Sequence, residues 1–187
     1  ENLSYMGLEQ AVANAGLTLG GVQMDEEGMC PESLRNVASE TGARLVFMVP
    51  TLQNPTTAIM SLDRRKKIIA VARDLDLIIV EDDVYGFLIE NRPPPIALLA
   101  PERTIYLSGL SKCVSSGLRV GWAVAPQDIC EKMTSAIFGL TVAQPGINPE
   151  IARMWIDNGT ADTIVRWQRK EVAARYAIAE DVFEGLE

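Results

Sequence analysis

Leu77-Ile78-Ile79-Val80-Glu81-Asp82-Asp83-Val84-Tyr85-Gly86 decides the fold, because four consecutive apolar residues, too few for a helix, run straight into three acids and end on a glycine. A short unbroken apolar run of this kind reads as a strand in the interior of a parallel sheet, with its polar tail at the carboxyl end. Upstream, Ser61 stands as an N-cap before a helix over 62–74, and residues 43–50 form a second apolar run ending in Pro50. Pro31 opens a helix that Gly42 closes, a helix over 6–15 stops at Gly16, and residues 17–22 read as a strand. Downstream, residues 104–107 and 120–124 supply two more strands. Helices alternating with short apolar strands predict an α/β three-layer sandwich on a mostly parallel sheet.

After Pro126 the pattern turns helical, over 129–142, 149–157 and 160–184. The chain thus divides into an α/β part over 1–128 and a helical continuation over 129–187. In the last helix Val165, Val172, Tyr176, Ala179 and Phe183 make one apolar stripe, which predicts packing on the α/β part or a bridge to a further domain. Arg92-Pro93-Pro94-Pro95 reads as a stiff surface loop. The start at Glu1, without methionine, and the stop at Gly185-Leu186-Glu187 within a helical pattern suggest a piece of something longer.

Composition narrows the chemistry. The 187 residues are 48% hydrophobic and carry a net charge of −8, within the range of one ordinary domain. Histidine is absent, which removes Ser-His-Asp triads, Cys-His pairs and histidine-ligated zinc and leaves Lys, Tyr, Asp/Glu or Cys as catalysts. Cys30, Cys113 and Cys130 are odd in number and far apart, so they read as structural thiols in a reducing compartment. No apolar run approaches the roughly 20 residues of a membrane helix, and no signal-peptide pattern opens the chain, so the cytoplasm is expected. An acidic balance without a Lys/Arg cluster gives no footprint for nucleic acid on this segment itself.

The chemistry-bearing residues gather at three strand ends, where open α/β sheets place their ligands. They are Asn54 in Gln53-Asn54-Pro55-Thr56-Thr57, then Asp82 and Tyr85, then Ser111 and Lys112 in Ser108-Gly109-Leu110-Ser111-Lys112, followed by Arg119 in Gly117-Leu118-Arg119-Val120-Gly121. Each alone has an ordinary reading as a turn starter, a helix cap or a surface charge. Together, a lysine at a strand end, a carboxylate on the neighbouring strand and a following arginine suit an aldehyde cofactor that carries a phosphate.

These segments resemble the fold type I pyridoxal-phosphate enzymes of the aminotransferase class I/II superfamily. Its signatures are Asn-Pro-Thr-Gly, Asp-x-x-Tyr and Ser-x-Ser-Lys followed by Gly-x-Arg-x-Gly, and the likeness spans nearly the whole chain. The resemblance implies pyridoxal 5′-phosphate as cofactor, with Lys112 as the catalytic lysine that bonds its aldehyde and then moves a proton. It further implies Asp82 on the pyridine nitrogen, Asn54 and Tyr85 on the phenolic oxygen, and Arg119 with Ser111 on the phosphate. Three departures stand out: Thr57 where the first signature has glycine, Gly109 in place of the first serine, and Ser116 where a proline is usual. The first implies a changed backbone angle at the turn, and the second removes one phosphate contact.

Glu81-Asp82-Asp83-Val84-Tyr85-Gly86, residues 100–107 and residues 155–161 look most like the MocR branch, in which a GntR-type winged-helix DNA-binding domain is fused to an aminotransferase-like sensor domain. The implied function is sensing of a small amino-acid-like effector, with DNA contacted through the fused domain and the parent a homodimer. Two alternatives stay open: a stand-alone aminotransferase exchanging an amino group between an amino acid and a 2-oxo acid, and a structural core without activity of its own.

Overall fold

A computed structural model describes residues 1–141 and 146–184. Val142, the expected end of one helix, and residues 185–187 lie outside the described residues. The first element, α1 (Met6–Asn14), is followed by Gly16 at φ 70, and none of its residues is buried. The strand expected over 17–22 does not form. Leu17 and Leu19 are 65% and 51% exposed, and among the described residues Val22 carries the one backbone bond of this stretch to a distant segment, its carbonyl accepting from Asn2 N at 2.8 Å. Pairing begins further on, where β1 (Met24–Asp25) turns through Glu26 and Glu27 onto β2 (Gly28–Met29).

Pro31 at the first turn and Gly42 in the left-handed conformation bound α2 (Pro31–Thr41), as the sequence predicts. Ser61 Oγ accepts from Arg64 N at 3.2 Å and so caps α3 (Leu62–Asp74). The sheet runs β3 (Leu45–Met48), β4 (Ile78–Asp82), β5 (Thr104–Gly109), β6 (Gly121–Val124) in that spatial order. The first two pairings are parallel and the last is antiparallel, so the sheet is mixed and mostly parallel.

Burial alternates along the strands. Val46, Met48, Ile79 and Glu81 are buried beneath α2, α3 and the short α4 (Ile96–Leu99), while Phe47, Ile78 and Val80 are half-buried and Leu45 is 54% exposed. The apolar runs therefore do not mark strands covered equally on both faces: among the described residues the α2–α4 face is the closed one. Every residue of β6 is exposed.

A second apolar cluster, Leu110, Cys113, Leu118 and Ala152, joins α5 (Leu110–Cys113) to α7 (Ile147–Asp157) and α8 (Thr160–Phe183), with Phe87, Trp155 and Val165 packed against it. The preceding helix, α6 (Gln127–Thr141), buries no residue. Packing of α8 on the body holds for its first half alone. Arg169 Nε donates to Phe87 O at 2.7 Å and Arg169 pairs with Glu90, whereas Val172, Tyr176 and Phe183 of the expected stripe are 49%, 65% and 63% exposed. The proline stretch is not a free surface loop either. Residues 92–95 are half-buried, Pro94 O accepts from Arg65, and Arg92 is ion-paired to Asp83.

Candidate functional site

The carboxyl ends of β4 and β5 carry the site. Asp82 closes β4 half-buried, and its Oδ1 accepts from Val84 N at 3.1 Å. Burial pushes its carboxyl above the ordinary Asp range and Asp83 adds to this, while the Val84 amide and the Lys112 charge pull it back. β5 ends at Gly109, and α5 lifts Ser111 and Lys112 directly beyond it. Leu110 N donates to Val120 O at 2.9 Å, closing the turn on which the chain returns to β6.

Ser108, Gly109, Ser111, Lys112, Arg119 and Gly121 line one open cavity of about 250 Å³. Two cations and two hydroxyls among these lining residues form a donor set suited to a phosphate. Arg119 is held in the left-handed conformation, φ 51, at the end of the turn Ser116–Leu118. Lys112 Nζ lies 5.8 Å from the centre of the Tyr85 ring, within cation–π range. Lys112 and Tyr85 also border a second cavity of similar size, walled by Phe87, Leu88, Trp167 and Arg175. The structure thus unites Ser111, Lys112 and Arg119 in one cavity and sets Tyr85 beside Lys112. Asn54 does not line either of these two cavities and stands half-buried in the turn after β3.

Two departures from the signatures have structural explanations. Thr57 occupies φ 60, so the turn keeps the left-handed conformation that glycine favours and tethers the threonine, whose Oγ1 donates to Thr56 O at 2.6 Å. Gly109 pairs with Gly121 across the β5–β6 ladder, and a Cβ on it would stand 2.8 Å from Val120 O. A side chain there would therefore require the two strands to move apart.

Three features behind the site escape a motif-based reading. Arg65 is fully buried and donates to Met60 O, Pro94 O, Pro50 O and Thr51 Oγ1. Glu81, equally buried and 3.7 Å from Arg65, accepts from Ile96 N and Ala97 N, both at 2.9 Å, and so caps α4. Burial pushes the Glu81 carboxyl up and the Arg65 guanidinium down. The available signal was Arg65 on the same helix face as Ile68, Ile69 and Ala72, since a charge on a buried stripe demands a partner. Gln53, 1% exposed, fixes the turn that presents Asn54: its Nε2 donates to Leu3 O at 2.8 Å, and its Oε1 accepts from Thr56 N and Thr56 Oγ1.

A mostly parallel sheet with a lysine and a carboxylate at adjacent strand ends defines the large domain of a fold type I transferase. Residues 4–179 match the family described as aminotransferase class I and II, and the chain belongs to it. Among its relatives, YisV of Bacillus subtilis, an uncharacterized HTH-type transcriptional regulator, is 32% identical over 94% of the chain and 37% of its own length. The 2-aminoadipate transaminase of Thermus thermophilus is 33% identical over 89% of the chain and 43% of its own length. The crystal structure of Pyrococcus horikoshii kynurenine aminotransferase, a complex with PMP, superposes with a TM-score of 0.90 at 30% identity, over 97% of the chain and 47% of that structure. The chain spans less than half the length of each of these relatives.

Proposed function

We propose that this chain is the cofactor-holding part of a pyridoxal-phosphate-binding, aminotransferase-like domain that, in the whole protein, senses a small amino compound for a fused DNA-binding domain, as in MocR-type regulators. The observation that carries it is the convergence of Lys112, Ser111 and Arg119 on one cavity, with Asp82 at the neighbouring strand end.

The residues fit the cofactor. Arg119 and Ser111 offer a planar cation and a hydroxyl to a phosphate. Asp82 offers an acceptor for a protonated ring nitrogen, Tyr85 a phenol beside Lys112, and Asn54 a third polar group from the turn after β3. When bound, the cofactor supplies an aldehyde for primary amines and a conjugated ring that draws electrons from the adjacent carbon. Lys112 would offer its amine to that aldehyde and would hold or move a proton at Nζ. Asp82 would accept from a protonated ring nitrogen, and Arg119 and Ser111 would hold the phosphate.

The sensor reading is supported by three relatives with HTH-type regulator names, each matching at least 92% of the chain and at most 38% of its own length. That proportion suits one module of a multidomain regulator. The stand-alone aminotransferase is the second reading, supported by the aminoadipate and kynurenine enzymes. A homodimer and a cytoplasmic location belong to the same proposal; none of the described helices is long and apolar enough to cross a membrane.

The test is borohydride reduction of the chain mixed with pyridoxal phosphate, with peptide mass mapping over its five lysines. Labelling confined to Lys112 supports the site, and labelling scattered over all five overturns it. Regulator and enzyme separate on the whole protein: a sensor changes the bound cofactor's absorbance on adding 2-aminoadipate without sustained release of 2-oxo acid, whereas an enzyme turns over.

A further inference from the structure

β4 runs into two neighbouring carboxylates that the pleat sends to opposite sides. Asp82 lies on the Lys112 side, and Asp83 is folded back into the protein with its side chain 1% exposed. Asp83 Oδ2 accepts from Tyr106 Oη at 2.6 Å and from Arg92 Nη1, while Oδ1 is buried with no hydrogen-bond partner among the described residues. Arg92 reaches Asp83 by crossing Gly86, where a Cβ would collide with both the guanidinium and Asp83 Oδ1. Gly86 directly follows Tyr85, and its N donates back to Asp83 O at 3.2 Å. Guanidinium, carboxylate and the turn bearing Tyr85 are therefore one packed unit, although neither Arg92 nor Tyr106 lines either cavity.

We propose that Arg92 is a positioning residue for the cofactor end of β4: by cancelling the charge of Asp83, it keeps the neighbouring Asp82 an anion. This inference deepens the functional reading above and rests on it. Two adjacent carboxylates in a desolvated site repel, and one takes up a proton unless a cation compensates. The charged groups acting on Asp82 are Asp83 on its own strand and Lys112 on α5, with Glu1 coupled to it from the segment before α1. Those acting on Asp83 are Glu81 from β4, Arg92 from the proline strap, Tyr106 from β5 and, from α3, Arg65. Arg92 alone among these both touches Asp83 and carries a full positive charge.

The experiment compares pyridoxal phosphate with its analogue in which the ring nitrogen is replaced by carbon, so that the Asp82 contact is isolated. Binding to the unaltered chain and to Arg92→Gln, Arg92→Lys and the double variant Asp83→Asn/Arg92→Gln is followed by tryptophan fluorescence, with circular dichroism to verify folding. Arg92→Gln is expected to weaken pyridoxal phosphate by about tenfold or more, the scale of one hydrogen bond to a charged group, and to leave the analogue within about twofold. Arg92→Lys retains most of the affinity, and the double variant, which carries no uncompensated buried charge, restores it to within about threefold. Equal weakening of both ligands, or a folded double variant that does not recover, overturns the inference and makes Arg92 a structural strut. If Arg92→Gln fails to fold, the double variant alone decides by the same criterion. An unaltered chain that binds neither ligand refutes the functional reading itself, and this inference with it.

Discussion

Replacing Arg65 with methionine removes the most heavily bonded buried charge among the described residues. Its guanidinium lies 3.0 Å from Met60 O, 3.2 Å from Pro94 O, and 2.9 Å from both Pro50 O and Thr51 Oγ1, and its side chain is fully buried. Methionine fills a similar volume but leaves three carbonyls and the Glu81 charge without their cation. The expected loss is about 3–5 kcal/mol, the range for breaking a buried ion pair from one side. Glu81→Gln keeps one oxygen for the α4 amides and should cost about 1–3 kcal/mol. Because Arg65 and Glu81 stand 3.7 Å apart and each makes its hydrogen bonds to groups other than its ion-pair partner, the double-mutant coupling should be about 1 kcal/mol, well below the Arg65→Met loss. The sign with pH also follows. Burial raises the Glu81 carboxyl, so in the variant the folded state binds more protons than the unfolded one, and the deficit shrinks as pH falls towards the ordinary value of 4.5. Urea unfolding followed by far-ultraviolet circular dichroism measures all three variants. A loss below about 1 kcal/mol for Arg65→Met at unchanged m-value, or a coupling equal to the whole Arg65→Met effect, would refute the reasoning.

Further outcomes follow from the same geometry. Asp82→Asn should stabilise the cofactor-free chain at pH 7, since its raised carboxyl costs stability when ionised; the gain should vanish as pH falls through the ordinary Asp value of 3.8, and urea midpoints across pH would show it. The same variant should bind pyridoxal phosphate more weakly, so stability and affinity move in opposite directions. Gly109→Ser places a Cβ 2.8 Å from Val120 O and should cost about 1–3 kcal/mol, read from the thermal midpoint. Tyr176→Lys should change stability by less than about 0.5 kcal/mol, because the ring is 65% exposed; a larger loss would show that the second half of α8 is packed after all.

The elements that punctuation announces were the legible ones. Ser61, Pro31 and Gly42 each signal a local backbone requirement, and the helices they bound appear where expected. The apolar runs gave the strands and, through the residues that follow them, the cavity holding Ser111, Lys112 and Arg119. Misreadings arose where an apolar residue had no cover. Leu17 and Leu19 look like strand residues, yet among the described residues the only backbone bond from this stretch to a distant segment is at Val22. Tyr176 and Phe183 continue a helical stripe past the point where α8 leaves the body. The Arg65–Glu81 pair and the Arg92–Asp83 contact were illegible for another reason: they join residues 16 and 9 positions apart through tertiary packing, and no spacing rule links a helix interior or a proline strap to a strand end.

The 24 residues of α8 give it a length of about 36 Å, of which the 11 residues beyond Val172 account for about 17 Å. Trp167 and Arg175 on this helix wall the cavity beside Lys112, and Arg169 pins it at Phe87. The helix is thus a rigid rod with its fulcrum at the site and its far end clear of the described body. By this geometry a tilt of about 10° at the fulcrum sweeps the far end through about 3 Å, so a change too small to disturb the packing around Lys112 is magnified along the helix.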